Sequence, residues 1–361
     1  MRLNAVPLFS PDNIRALLAK VEPEQALEAP AEFIAGAMEV TLESARRFRE
    51  TAKAFDADRE LRRAEELGVG LLAWDAPGYP QALTGIPDAP LLLYCRGDGE
   101  LSGPAAAVVG SRTATPYGLR QGRRFGVELA RAGVLVVSGL ARGVDSQAHE
   151  GALAAGGRTW AVLGGGLARI YPPENDPLAR RLVDSGGCLL SELPLDAYPG
   201  KAHFIRRNRI ISGLCWATVV VEGRGTSGSL VTAHCAQEQS RELFAVPGPA
   251  DSPLSEGPHR LLRLGAKVAC EAADVLRTLP AGAALAARAA GPRPGPGSGA
   301  ALSLEYRKIL KWLVADAMTV DALAEETGIA LPQLVTILFE MELQGLVRPF
   351  PGQRYGKKDS N

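Results

Sequence analysis

The stretch beginning at Lys201, KAHFIRRNRIISGLCWATVVVEGRGTSGSLVTA, concentrates residue types that bind phosphates and rings. Lys201, Arg206, Arg207 and Arg209, with Asn208 among them, surround a single aromatic, Phe204. An apolar run, Ala217–Val221, follows and passes through Glu222 into a small-residue loop, Gly223 to Ser229, that includes Ser227, Gly228 and Ser229. A strand, a Gly/Ser loop and a helix in that order present backbone N–H groups to an anion. A phosphate cradle beside arginines and one ring suits a nucleotide or a nucleic-acid strand, since guanidiniums pair with phosphate oxygens and the ring stacks on a base. A buried phenylalanine is the commoner fate, but the charges around Phe204 cannot all be buried, which favours a partly exposed ring.

Three further loops have the same character. Ser111 and Arg112 end VVGSR, where an arginine just past a strand reaches a phosphate in bidentate fashion. Gly139 lies in SGLARGVD, and Asp145 and His149 sit four residues apart at the start of the next helix. Such a pair could ligate metal or work as acid and base, but a helix cap and a hydrogen-bonded histidine are the more frequent outcome. Gly164 and Gly165 belong to a glycine triplet after TWAVL. The acidic partner of a dinucleotide fingerprint is missing, and so is GxxxxGK[ST], which argues against NAD and against an ATPase motor. No nucleophile–base pair, GxSxG or HxxxH stands out. The pattern therefore points to a binding protein without cofactor rather than an enzyme.

These loops need a frame. From residue 103, short apolar runs alternate with helical segments: AAAVVGS, then 116–132; GVLVVSG, then 145–156; TWAVLGGG, then 176–185; GCLLSE, then 204–213; ATVVVEG, then 227–240; ELFAVPG, then 257–264. Continuous apolar strands between helices predict a parallel sheet covered on both faces. Every loop named above would then emerge at its carboxyl edge, where ligands of open α/β sheets bind. VGLLAW and PLLLYCRG read as two more strands around a Pro/Gly-rich turn region. Residues 10–68 read as short helices, with Ser10 and Thr41 as starts. Residues 281–301 are Ala/Gly/Pro-rich, the composition of a flexible linker. Residues 302–361 carry LEYRKILKWL, a helix from Thr319 to Gly328, a third helix in LPQLVTILFEMELQG, and a hairpin in LVRPFPGQRY, which together predict a winged helix. Glu340 and Glu342 stand in its recognition helix without Lys or Arg, which favours a protein partner there over DNA.

Of 361 residues, 40 are basic and 40 acidic. Residues 1–100 hold 11 Lys/Arg and 17 Asp/Glu, whereas residues 101–280 hold 20 and 15, so the positive charge collects with the glycine loops. The five cysteines lack CxxC spacing, so buried thiols are expected rather than zinc ligands. No apolar run reaches membrane length, and the first residues lack a signal-like apolar core. A cytoplasmic protein without a membrane association is expected.

In order, VVGSRTATPYG, SGLARGVDSQAH, AVLGGGLARIYPPEN, LLSELPLDAYP, HFIRRNRIISGL, VVVEGRGTSGSLVTA and FAVPG resemble the DprA/Smf family of DNA-processing proteins. The resemblance implies an α/β protein in parts: an N-terminal small helical (SAM-like) domain at 1–68, an extended Rossmann-like domain at 69–280, the linker 281–301, and a winged-helix (DML1-like) domain at 302–361. It implies a non-enzymatic role: binding single-stranded DNA, dimerising, and loading RecA recombinase in natural transformation. It implies that Arg112 contacts phosphate, that Lys201 and Phe204 hold the strand by charge and stacking, that Arg206, Arg207 and Arg209 border the groove, and that Ser227 to Ser229 cradle a phosphate. The chain departs from the family at Ile205, where Pro is usual, and at Gly257–Leu262, in a part associated with self-association. An alternative is a nucleotide phosphoribohydrolase of the lysine-decarboxylase-like Rossmann family, whose PGGxGTxxE loop Gly223–Thr226 echoes. That chemistry needs a carboxylate just after the loop, where this chain has Gly228 and Ser229. A winged-helix transcription factor is a third reading, and it leaves the converging loops without a purpose.

Overall fold

The computed structural model describes residues 1–6, 9–99, 103–279, 308–310, 312–313, 318–343, 346–350 and 354–357. It divides into two compact units, Met1–Gly295 and Pro296–Asn361. The expected linker lies outside the described residues.

The first unit opens with helices α1 (Pro11–Leu18), α2 (Pro23–Glu28), α3 (Ala31–Met38), α4 (Leu42–Ala54) and α5 (Ala57–Glu66). Ser10 and Asn13 form a reciprocal capping box on α1, and the Thr41 hydroxyl accepts from Ser44 N–H on α4. Ile14, Leu17, Ile34, Met38 and Phe48 bury one face of this group. Phe9 meets Phe48 edge-on at 5.0 Å. The helical group is tied to a distant segment of the chain, residues 192–195. Asn4 Nδ2 donates to Glu192 O at 2.9 Å, and Leu195 N–H donates to Glu60 at 2.7 Å.

The sheet contains β1 (Val69–Ala73), β2 (Leu92–Gly97), β3 (Ala105–Val109), β4 (Leu135–Ser138), β5 (Thr159–Val162), β6 (Cys188–Ser191), β7 (Ala217–Val220), β8 (Glu242–Ala245) and β9 (Lys267–Val268). Their spatial order is β1-β2-β6-β5-β4-β3-β7-β8-β9. From β6 to β9 all pairings are parallel, as the alternation of apolar runs and helices predicts. β2 joins β6, and β1 joins β2, antiparallel. Between these strands run α6 (Pro116–Arg131), α7 (Val144–Ala154), α8 (Asp176–Asp184), α9 (Lys201–Gly213), α10 (Gly228–Glu238) and α11 (Glu256–Arg263), and α12 (Ala272–Leu276) follows β9. Successive strand residues serve opposite cores. Ala105, Ala107 and Val109 pack with Ile210, Ile211 and Ala233, whereas Ala106 and Val108 pack with Phe125, Leu129 and Ala148. β3 leads outward to β4, β5 and β6 on one side, while β7, β8 and β9 extend on the other. A crevice therefore opens where the winding reverses, between the carboxyl ends of β3 and β7.

Helix α9 begins at Lys201, three residues before the expected start, because Pro199-Gly200 is the real break. Cys95, Cys188 and Cys215 are buried thiols, Cys235 is half-buried and Cys270 is exposed. No helix among the described residues is long and apolar enough to cross a membrane.

In the second unit, α13 (Val320–Thr327) is capped by the Thr319 hydroxyl and stopped by Gly328 at φ 68°. α14 (Leu331–Leu343) follows. β10 (Met318–Thr319), β11 (Val347–Phe350) and β12 (Arg354–Lys357) form an antiparallel sheet in the order β10-β12-β11. The helix expected in LEYRKILKWL lies partly outside the described residues. Its Ile309 and Leu313 are buried with Leu323, Leu334 and Leu338. This is the winged-helix pattern, with Leu331 and Val335 exposed on α14.

Candidate functional site

The crevice is a groove of about 630 Å³. Residues 110–113, after β3, form one wall. The first turns of α9 and α10 form the others, through Gly200, Lys201, Ser227 and Gly228. Two glycines fix the 110–113 loop. A Cβ on Gly110 would fall 2.6 Å from Val144 Cγ2, and Gly143, at φ 78°, leaves no room between its Cα and Ser111 O. Gly200 caps α9 without a side-chain acceptor, and Gly200 and Lys201 line the groove, so the helix's positive end lies at its wall.

At the rim, the Arg112 guanidinium lies over the Phe204 ring at 4.8 Å. Tyr171 packs on the same ring at 5.7 Å, tilted by 42°. Phe204 is half-buried, and Arg112, Tyr171 and Lys201 are exposed. Gly164 makes space for the ring, since a Cβ there would lie 2.5 Å from Phe204 Cδ1. The nearest atoms to a Cβ on Gly165 are Ala197 O and Pro199, at 3.4 Å. Both glycines are buried under the rim rather than open to a ligand.

The floor is ionic. Arg207 is 5% exposed and donates to Val162 O. Its guanidinium needs Gly139, where any Cβ would overlap it. Burial pulls its pKa down to about 10, and Asp145 opposes that shift. Burial pushes the Asp145 carboxyl up, and Arg207 draws it back. Asp145 accepts from Gly139 N–H at 3.2 Å. The expected cap on α7 is thus corrected: Gly143 occupies the cap position without a side-chain bond, and Asp145 ties down the preceding loop. His149 stands apart from Asp145, fully buried, with Nδ1 2.7 Å from Thr159 Oγ1. Because Thr159 Oγ1 donates to Val136 O, His149 must donate through Nδ1–H. Burial lowers its pKa to about 3, so it is neutral.

Several other expected residues serve the frame. Arg206 and Arg209 do not line the groove. They turn to the opposite side of α9 and hold the buried Glu192, at 3.2 Å and 2.7 Å respectively. Arg206 also reaches Phe9 O, and Arg209 reaches Asp88 O. The helical period explains this: Lys201, Phe204 and Arg207 or Asn208 share one stripe, and 206 and 209 share another. Asn208 joins α9 to α10 through Gly228 O at 3.2 Å. Glu222 accepts from Thr115 N–H at 2.9 Å and from its hydroxyl at 2.6 Å, fixing the start of α6.

The Gly223–Ser229 loop is partly satisfied from within. Gly223 N–H donates to Leu254 O, Gly225 N–H to a Glu256 carboxylate oxygen at 3.1 Å, Ser227 N–H to Arg224 O, and Ser229 N–H to Ser227 Oγ. Ser227 and Ser229 hydroxyls bond each other at 2.8 Å. Ser111 Oγ accepts from Thr113 N–H at 3.1 Å. The loop places Arg224 and Gly228, both exposed, on the groove. Tyr171 was not singled out from the sequence. The only available signal was an aromatic ending the loop after the glycine triplet, and nothing local indicates that it meets Phe204.

A doubly wound sheet with a cation–aromatic groove at its switch point, linked in one chain to a winged helix, defines a Rossmann-like protein whose groove carries residue types suited to anions and rings. The family model described as DNA recombination-mediator protein A matches residues 70–280, and the DprA winged helix domain matches residues 293–353. Protein Smf of Escherichia coli is 42% identical over 283 residues, covering 78% of this chain and 76% of its own. The X-ray structure of DNA processing protein A from Streptococcus pneumoniae superposes with a TM-score of 0.67 at 34% identity, covering 77% of this chain and 95% of that one. A Helicobacter pylori DNA processing protein A, described for its single-stranded DNA binding mode, superposes at 0.53 with 31% identity, covering 58% and 95%. The chain belongs to the DprA/Smf family of DNA-processing proteins.

Proposed function

We propose that the groove binds single-stranded DNA without sequence preference, and that the chain loads RecA recombinase onto the strand it holds during natural transformation. The observation that carries the binding reading is the Arg112–Phe204–Tyr171 cluster at the rim, with the α9 and α10 N-termini beside it. Arg112, Lys201 and Arg224 meet phosphates, and Phe204 with Tyr171 stacks on bases. Stacking contributes roughly 1–3 kcal/mol per base and tolerates any base, because each has a π face. Duplex DNA offers no free face and competes poorly. The chain acts by holding the strand, with no step of covalent chemistry. The Helicobacter pylori relative supports the ligand, and the recombination-mediator description of the family supports the loading role. A homodimer through the Rossmann-like unit would present two grooves and raise apparent affinity through effective concentration.

The test is fluorescence anisotropy of a labelled oligo-dT. Arg112→Ala and a Lys201→Ala/Phe204→Ala double variant should each bind clearly more weakly than the unaltered chain. Affinities of a folded Arg112→Ala variant within about twofold of the original would remove the phosphate role. Failure of the unaltered chain to bind would remove the proposal.

A further inference from the structure

A third aromatic stands just outside the groove. Tyr198 is 74% exposed, and the Arg169 guanidinium lies over its ring at 5.9 Å. Single exposed rings are ordinary on protein surfaces. Three observations set this one apart.

The first is its support. The loops after β5 and β6 are laced together: Gly166 N–H donates to Ala197 O at 2.9 Å, and Ala168 N–H donates to Leu195 O at 3.0 Å. His203 Nδ1 lies 3.1 Å from Tyr198 O, which ties the residue to the first turn of α9. A Cβ on Gly166 would overlap Leu195 O and Pro194 O, so the two loops touch backbone to backbone. The Tyr198 ring therefore projects from a fixed backbone, and a base landing on it need not order a loop.

The second is its position. Pro199, the next residue, lines the groove, as do Gly200 and Lys201. The third is repetition. The loop after β5 supplies Arg169 and Tyr171, and the segment from 198 to 204 supplies Tyr198 and Phe204. Tyr171 meets Phe204, and Arg169 meets Tyr198. The same two segments thus supply the rings of two platforms, with Arg112 of the loop after β3 against Phe204 and Arg169 against Tyr198. Arg169 is exposed and available to a phosphate.

We infer that Tyr198 and Arg169 form a second base-stacking subsite, which takes a nucleotide of the same strand as it leaves the Phe204 platform. This rests on the reading of the groove as a single-stranded DNA site. It adds an exit direction, along the loops after β5 and β6.

The test is a length series of oligo-dT, from strands that fill only the groove to strands that extend past it. The full chain, Tyr198→Ala, Tyr198→Phe and Phe204→Ala are titrated at one salt concentration. Tyr198→Ala should leave the shortest bound oligonucleotides unchanged and weaken the longer ones about 5- to 140-fold, the equivalent of one lost stack. Tyr198→Phe should restore the longer ones, because it keeps the ring. Phe204→Ala should weaken all lengths. Equal affinity of Tyr198→Ala and the unaltered chain at every length, with Phe204→Ala still defective, would overturn the second subsite and spare the groove. Unchanged binding in Phe204→Ala would overturn the groove and the subsite together.

Discussion

Replacing Glu192 with Leu decides whether the Arg206 and Arg209 side chains belong to the frame or to the DNA site. The Glu192 side chain is 6% exposed and the Arg209 side chain 10%. Arg209 donates to both carboxylate oxygens, at 3.0 Å and 2.7 Å, and Arg206 adds a contact at 3.2 Å. The same junction gathers Asn4, Phe9 and Asp88, so it fastens the N-terminal helices to the end of β6. Glu192→Leu strands the Arg209 charge in a site that water barely reaches. Removing one partner of a buried pair costs about 3–5 kcal/mol. At about 2 °C per kcal/mol for a unit of this size, the melting temperature should fall by about 6–10 °C. Glu192→Leu/Arg209→Met removes both charges and should recover most of the loss, because a well-packed apolar pair replaces a buried ion pair at little cost.

The assay is a thermal melt followed by circular dichroism, paired with oligo-dT anisotropy well below each variant's midpoint. Arg209→Met should lower the midpoint and leave affinity within about twofold, since the residue lies off the groove. An unchanged midpoint together with a tenfold or greater loss of affinity would refute this account. Arg209 would then have to reach the strand.

Two further outcomes concern the buried residues around the groove. Gly164→Ala places a methyl 2.5 Å from Phe204 Cδ1 and 3.2 Å from its Cα, so the ring must leave its stacking position. Oligo-dT affinity should fall about fivefold or more, with a stability cost of about 1–3 kcal/mol; unaltered affinity would show that the ring position does not matter. His149 has a folded pKa of about 3, below its ordinary value, so between pH 6.5 and 3 the unfolded chain binds the extra proton. Its contribution is complete above pH 6.5 and falls by up to about 1.4 kcal/mol per unit below that. Urea unfolding at pH 7 and pH 5 should show a steeper loss in the unaltered chain than in His149→Gln; equal losses would contradict the buried neutral imidazole.

The sheet was legible because its strands are short apolar runs between helices, and β3 to β8 fall where those runs stand. β9 was not, since Lys267-Val268 is two exposed residues with no pattern to read. The antiparallel joining of β2 to β6 is a pairing across more than ninety residues, which local periodicity cannot encode. At the site, Arg112, Lys201 and Phe204 were identifiable by type and by their place after strands. The functions of the glycines were not. Gly139 and Gly164 read as open phosphate loops, yet one makes room for a guanidinium and the other for a ring, both supplied from α9 more than 35 residues later. A glycine marks a close approach without naming what approaches.

The arginine cluster shows the same limit in a form that can be measured. Counting Lys201, Arg206, Arg207, Arg209, Arg112 and Arg224 as phosphate contacts gives six cations. In the fold, Arg206 and Arg209 are held by Glu192, and Arg207 is buried against Val162 O and Asp145. The exposed cations on the groove are Arg112, Lys201 and Arg224. Counterion release from a single strand gives a slope of about −0.7 per neutralised phosphate, so log affinity against log salt should run near −2 rather than −4. Adding Arg169 for longer strands takes it toward about −3. A slope near −4 on the shortest bound oligonucleotide would mean that the internal arginines leave their partners when DNA arrives, and Glu192→Leu would then increase affinity rather than leave it unchanged.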